Sequence, residues 1–152
     1  MIIRKLLPSE TPPMELLLEA DPSETKVATY LNEGSCFIAE EEEAILGVYV
    51  MLPIKPGTAE IMNISVRASS QGKGIGKQLI RHAIHQANKD GYSSLEVGTG
   101  NSSIDQLAFY QKCGFRMTAI EPDFFLRHYE MPIYENGIQC RDMIRFVYPL
   151  TP

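Results

Sequence analysis

Two rhythms of apolar positions run along this chain. A period near two, or a continuous apolar run, predicts strands; apolar residues three and four apart predict helices. Residues 2–7 are a short apolar stretch ended by Pro8, predicting a first strand. Met14, Leu16, Leu17 and Leu18 predict a short helix after the turn cluster 9–13. Asp21-Pro22-Ser23-Glu24 predicts a second helix start, with Asp21 as N-cap, running through Val27, Ala28 and Leu31 to Gly34. Strands follow at 36–40, 44–54 and 58–66. The glutamates 40–43 form the first hairpin tip, and Gly47 marks a bulge. The long helix begins near residues 72–74. Ile75, Leu79, Ile80, Ala83, Ile84 and Ala87 share one face, and Lys77, Arg81, His82, His85 and Lys89 take the solvent side. A strand at 95–99, a helix at 104–112 with Ser103 as N-cap, and strands at 115–120 and 142–148 complete the pattern. Residues 121–136 are aromatic and irregular, and Asn136-Gly137 predicts a tight turn. A strand meander followed by strand–helix–strand implies a mixed sheet with helices on its faces, in the α/β to α+β range.

Composition adds bounds rather than direction. The 152 residues suit one domain with a substantial core, 44% hydrophobic and 22% charged. The net charge of −5 provides no electrostatic footprint for nucleic acid. Cys36, Cys113 and Cys140 have neither disulfide-framework nor metal-ligand spacing, so no metal is expected and a reducing cytoplasm is. No segment has the length of a membrane span, and the N-terminus lacks a signal-peptide pattern.

Candidate chemistry gathers in residues 61–79. A strand leads into a loop with glycines at 72, 74 and 76, where the long helix opens. Unpaired N–H groups and the positive end of the macrodipole make such a junction an anion cradle. Gly72 and Gly76 are separated by three residues, and Gln78 follows Lys77, so the Walker spacing fails; G-x-G-x-G also fails the dinucleotide fingerprint. A nucleotide phosphotransferase is thereby disfavoured. Gln71-x-x-Gly74-x-Gly76 instead resembles the acetyl-CoA loop of the GCN5-related N-acetyltransferases. Phe109-Tyr110 followed by Cys113-Gly114-Phe115 resembles the same family's second motif, in the right order and about one β–α unit away.

The resemblance covers the whole chain, most strongly residues 60–115, and implies one N-acetyltransferase domain over 1–152. The implied fold is the acyl-CoA N-acyltransferase fold: a mixed sheet of about seven strands, splayed in the middle, with about four helices on its faces. It implies that the strand backbone at Ile64, Ser65 and Val66 pairs with the pantetheine arm of acetyl-CoA. It implies that N–H groups of Gln71, Gly72, Lys73, Gly74, Ile75, Gly76 and Lys77 hold the pyrophosphate. Asn101 falls where the family places a pantetheine contact, and Tyr110 where it places the tyrosine beside the thioester sulfur. A strand bulge near residues 62–64 would open the cofactor slot. Lys73, Lys77, Arg81 and Lys112 are candidates for the 3′-phosphate.

Acetyl transfer to an amine needs a neutral nitrogen, a polarised thioester and an acid near the departing thiolate. Tyr110 is the expected acid. Glu60, acting through water, and His128 are the candidate bases. Asp123, Glu130 and Glu135, with Tyr129 and Tyr134, are candidates for an amine pocket. The expected activity is acetyl-CoA-dependent N-acetyl transfer to a primary amine of a small molecule or peptide, in a ternary complex. An acyl-CoA sensor without turnover is the alternative. The family also allows a homodimer through the aromatic C-terminal stretch.

Overall fold

A computed structural model describes residues 1–151; Pro152, the end of the domain expected over 1–152, lies outside the described residues. The elements in chain order are β1 (Ile2–Lys5), α1 (Met14–Ala20), α2 (Glu24–Glu33), β2 (Ser35–Glu41), β3 (Ala44–Lys55), β4 (Thr58–Val66), α3 (Ile75–Lys89), β5 (Ser94–Gly100), α4 (Ile104–Lys112), β6 (Arg116–Glu121), α5 (Phe124–His128), β7 (Tyr134–Glu135), β8 (Ile138–Gln139) and β9 (Met143–Pro149). Seven strands form one sheet in the order β1-β2-β3-β4-β5-β9-β6. Only the central β4–β5 pair is parallel. This is the mixed, seven-stranded acyl-CoA N-acyltransferase fold.

The sheet is buried on both faces because β2 and β3 are apolar at nearly every position. Phe37, Ala39, Tyr49 and Met51 point to a core shared with α3 and α4. Their alternates Cys36, Ile38, Val48 and Val50 point to a second core with α1 and α2. The helix face of Ile75, Leu79, Ile80, Ala83 and Ala87 is buried as its spacing requires. Gly47 lets α3 come close: a Cβ there would stand 3.0 Å from Leu79 Cδ1 and 3.2 Å from the Ser65 carbonyl. Ala39 pairs with Gly47 but Glu40 with Ile45, so Leu46 is the extra residue of a bulge.

The second bulge positions the site. Val50 pairs with Asn63 and Met51 with Ile61, leaving Met62 unpaired. The parallel β4–β5 ladder runs from Thr58↔Ser94 only to Ile61↔Val97. Beyond it β4 keeps β3, and β5 keeps β9 through Gly100↔Met143. The two strands therefore part after Ile61, inside the stretch where the bulge is expected.

Several local expectations are corrected. The α2 N-cap is Ser23, whose Oγ accepts from the Lys26 N–H at 3.2 Å; Asp21 is turned inward instead. Ser103 precedes α4 but makes no side-chain cap. His82 is not on the solvent face: it is half-buried, tilted against Phe37, with Nδ1 2.8 Å from the Tyr49 hydroxyl. The irregular stretch 121–136 contains α5 and opens the β7–β8 hairpin, turned by Asn136 and Gly137 at φ 54° and 72°. Glu42 and Glu43 turn the β2–β3 hairpin at φ 50° and 68°, left-handed values that glutamate seldom adopts.

Candidate active site

The parted strands open onto two adjoining hollows. The first, about 670 Å³, runs along Ile64, Ser65 and Val66 and past Gln71, Gly72, Gly74, Ile75, Gly76 and Lys77 at the start of α3. The second, about 440 Å³, lies in the slot itself, between Met62 and Asn63 on one side and Gly98, Thr99 and Gly100 on the other. They share Glu19, Ala20, Ile64 and Gln106, so a molecule lying along the first meets one lying in the second.

The loop leaves its backbone open to approach. Gly72 and Gly74 both sit at φ 80°, and a Cβ on either would have no atom within 4 Å. Their glycine identity therefore serves backbone conformation and open approach, not packing. Gly74 caps α3 with its N-terminal N–H groups bare of side-chain caps. Gly76 differs, since a Cβ there would touch the Phe109 ring at 3.3 Å; it seats α4 against α3. Gln71 braces the loop by donating from Nε2 to the Val66 carbonyl at 3.1 Å. The hollow thus fits an elongated pyrophosphate-bearing molecule. Of the basic candidates, Lys77 and Lys112 stand on the wall, whereas Lys73 and Arg81 do not line it.

Tyr110 lines the inner cavity and is 4% exposed, ringed by Phe109, Phe115 and Phe146. Burial pushes its hydroxyl far above the ordinary tyrosine value, and the Cys113 thiol adds to the shift. It is a protonated donor throughout the physiological range.

Three expected contributors stand elsewhere. Glu60 faces away from both hollows: Oε1 accepts from Arg145 Nη2 at 2.7 Å and Oε2 from Nη1 at 3.3 Å. Arg145 also meets Glu96 at 3.1 Å. Burial alone would lower the Arg145 pKa, but the hydrogen bonds and charge of Glu60 and Glu96 outweigh it and the value rises. Glu60 is thus one arm of an ion-pair hub, not a base on the cavity wall. Asn101 lines neither hollow. Its Oδ1 accepts from the N–H groups of Arg141 and Asp142 at 2.8 and 2.9 Å, and its Nδ2 donates to the Gln139 carbonyl at 3.1 Å. It pins the turn leading into β9. His128 is exposed and tilted against Phe124, centroids 4.3 Å apart, and lines neither hollow.

Of the expected amine-pocket residues, Tyr129 and Glu135 line the inner cavity; Asp123, Glu130 and Tyr134 do not. Ser102 and Ser103 donate to Glu135 at 3.3 and 2.7 Å. The wall also includes Asp21 and Asn63, whose part the sequence did not disclose. Asp21 carries an N-cap signature that concealed its inward turn, and Asn63 is displaced into the slot by a bulge that no residue type marks. Among the described residues no group of three or more His, Cys, Asp or Glu is placed to hold a metal ion, and no helix is long and apolar enough to cross a membrane.

Residues 3–115 match the Acetyltransferase (GNAT) family. An uncharacterized N-acetyltransferase, YvbK, of Bacillus subtilis (strain 168) is 56% identical over 136 residues, covering 90% of this chain and 88% of that protein. A GNAT family acetyltransferase from Elizabethkingia anophelis, crystallised with acetyl-CoA bound, is 43% identical with a TM-score of 0.96, covering 98% of this chain and 97% of the other. A Bacillus subtilis acetyltransferase in complex with CoA is 53% identical with a TM-score of 0.92, covering 99% and 100%.

Proposed function

Because the chain belongs to the acetyltransferase (GNAT) family, we propose that it moves the acetyl group of acetyl-CoA directly onto a primary amine of a small molecule or peptide, both bound at once. One observation carries the reading: the two hollows are continuous through Ile64, with an anion cradle at one end and Tyr110 on the wall of the other. Acetyl-CoA supplies an activated acyl group along the outer hollow. Gln71 to Lys77 present N–H groups to its pyrophosphate, with Lys77 and Lys112 as the cations on the wall. Ile64, Ser65 and Val66 offer the strand backbone that β5 no longer occupies.

The amine enters as the free base through the inner cavity. Its lone pair forms the N–C bond, the C–S bond breaks with its electron pair on sulfur, and the amine sheds one proton. Tyr110 donates to the departing sulfur. Its raised pKa makes the phenolate a short-lived species, so the proton shed by the amine reloads it. With Glu60 locked to Arg145, amine deprotonation falls to water in the cavity rather than to a dedicated carboxylate.

The test is an amine panel (alkylamines, diamines, amino acids, short peptides) with mass detection of acetylated product and thiol release from acetyl-CoA. A mass gain of one acetyl group on at least one amine, matched by thiol, is the expected result. Acetyl-CoA binding without release across the panel would leave an acyl-CoA sensor instead.

A further inference from the structure

The inner cavity carries a charge that the chain does not neutralise. Asp21 is 9% exposed and lies on its wall. Oδ1 accepts from the Tyr129 hydroxyl at 2.8 Å and the Ser23 N–H at 3.1 Å, and Oδ2 from the Tyr30 hydroxyl at 3.2 Å. All three donors are neutral. Among the described residues no basic side chain forms an ion pair with Asp21. Lys26 stands instead over the Tyr129 ring, 5.6 Å from its centroid. A buried carboxylate is costly without a cation beside it.

A second polar residue lines the same space. Asn63 is 4% exposed and donates from Nδ2 to the Leu17 carbonyl and the Tyr30 hydroxyl, both at 2.8 Å. The Leu17 carbonyl can only accept, which settles the orientation of the amide. That leaves Oδ1 buried with no partner, an uncommon state for a native polar atom. The Tyr30 hydroxyl joins the two features, accepting from Asn63 and donating to Asp21. Oδ1 itself has almost no accessible surface, so the polar end that the wall presents to the cavity is the Asp21 carboxylate. A group with N–H donors and a positive charge would complement it. Glu19 and Glu135 line the same cavity and add to its negative character.

That cation is not the nitrogen that reacts. A carboxylate favours the protonated amine, and a protonated amine has no lone pair to attack with. We propose that the acceptor is a diamine or polyamine, one amino group reacting as the free base beside Tyr110 while a second, as an ammonium, is held by Asp21. This rests on the acetyl-transfer reading above and narrows its substrate class. The cavity of about 440 Å³ is within the range of small-ligand sites.

The experiment compares α,ω-diamines of increasing length with monoamines of equal length on the wild-type protein, followed by thiol release. A kcat/KM at least about tenfold higher for the best diamine is expected, the value of one charge-assisted contact. Asp21→Asn should raise the diamine KM and collapse that ratio, with kcat far less affected; Asp21→Glu should restore part of it. Calorimetric acetyl-CoA affinity, read alongside, reports whether the variants are folded. Equal efficiency for diamines and monoamines on the wild type would overturn the inference while leaving acetyl transfer standing. A loss in kcat at constant KM, with a shifted pH profile, would also overturn it, making Asp21 a base. No turnover with any amine would sink both readings.

Discussion

The hydroxyl of Tyr110 has no hydrogen-bond partner among the described residues, so removing it costs little packing. Tyr110→Phe should lower kcat by about a hundredfold while calorimetric acetyl-CoA affinity stays within about twofold, the outer hollow being untouched. Undiminished turnover across pH would remove Tyr110 from the reaction. His82 offers a residue-scale test of stability. Its folded pKa is depressed below 6.5, first by burial and then by the charge of His85. The unfolded chain therefore binds more protons in the window just below pH 6.5, so stability rises with pH there and falls as the medium is acidified. Urea melts between pH 5 and 8 should show that slope, and His82→Gln should flatten it. A slope unchanged in the variant would assign the effect to other groups. Neither residue's environment was visible in the chain. Tyr110 was placed by motif, but part of the burial that raises its pKa comes from Phe146, far away in sequence. His82 lies at the edge of the polar helix stripe, and only the register of β3 brings Tyr49 beneath it.

Elements were more legible than side chains. Helical spacing located α3 within a residue or so, because its apolar stripe is continuous and Gly91 stops it at φ 86°. The alternation in β2 and β3 was legible for the same reason, and so was the loop, since Gly72 and Gly74 stand where a Cβ is disfavoured by conformation. The short α5 and the strands β7 and β8 were not, because five residues and a two-residue ladder leave no period to detect; only the turn between those strands was marked, by Asn136-Gly137. Ion pairs across strands are still less legible. Nothing at Glu60 announces an arginine 85 residues later. The hub predicts its own behaviour, since the side chains of Arg145, Glu60 and Glu96 are only 15%, 12% and 15% exposed. Arg145→Met would leave Glu60 without a cation and Glu96 with only the exposed Lys55 at 3.9 Å, at a cost of about 3 kcal/mol. Adding Glu60→Gln should recover part of that in denaturant melts. A double variant no more stable than the single would mean that Glu60 carries no strain there.

At the scale of the molecule, the sheet is two half-sheets that share only four residue pairs at the β4–β5 seam. A ligand lying along the seam bridges both halves and binds the folded state alone. Acetyl-CoA at about a hundred times its dissociation constant should add about 2.7 kcal/mol, raising Tm by roughly 5–10 °C for a chain of this size. Scanning calorimetry with and without the ligand measures it. A shift near zero would place binding elsewhere or nowhere.

The β2–β3 hairpin tip lies outside both hollows, and its two left-handed glutamates serve neither. It is slack that can be taken up. Replacing Glu42-Glu43 with Asn-Gly would suit the turn and relieve a run of like charges, for a gain of about 1 kcal/mol, read as a higher urea midpoint. Such a background would be a reinforced chassis: weakened site variants such as Asp21→Asn could then be assayed well below their own melting point.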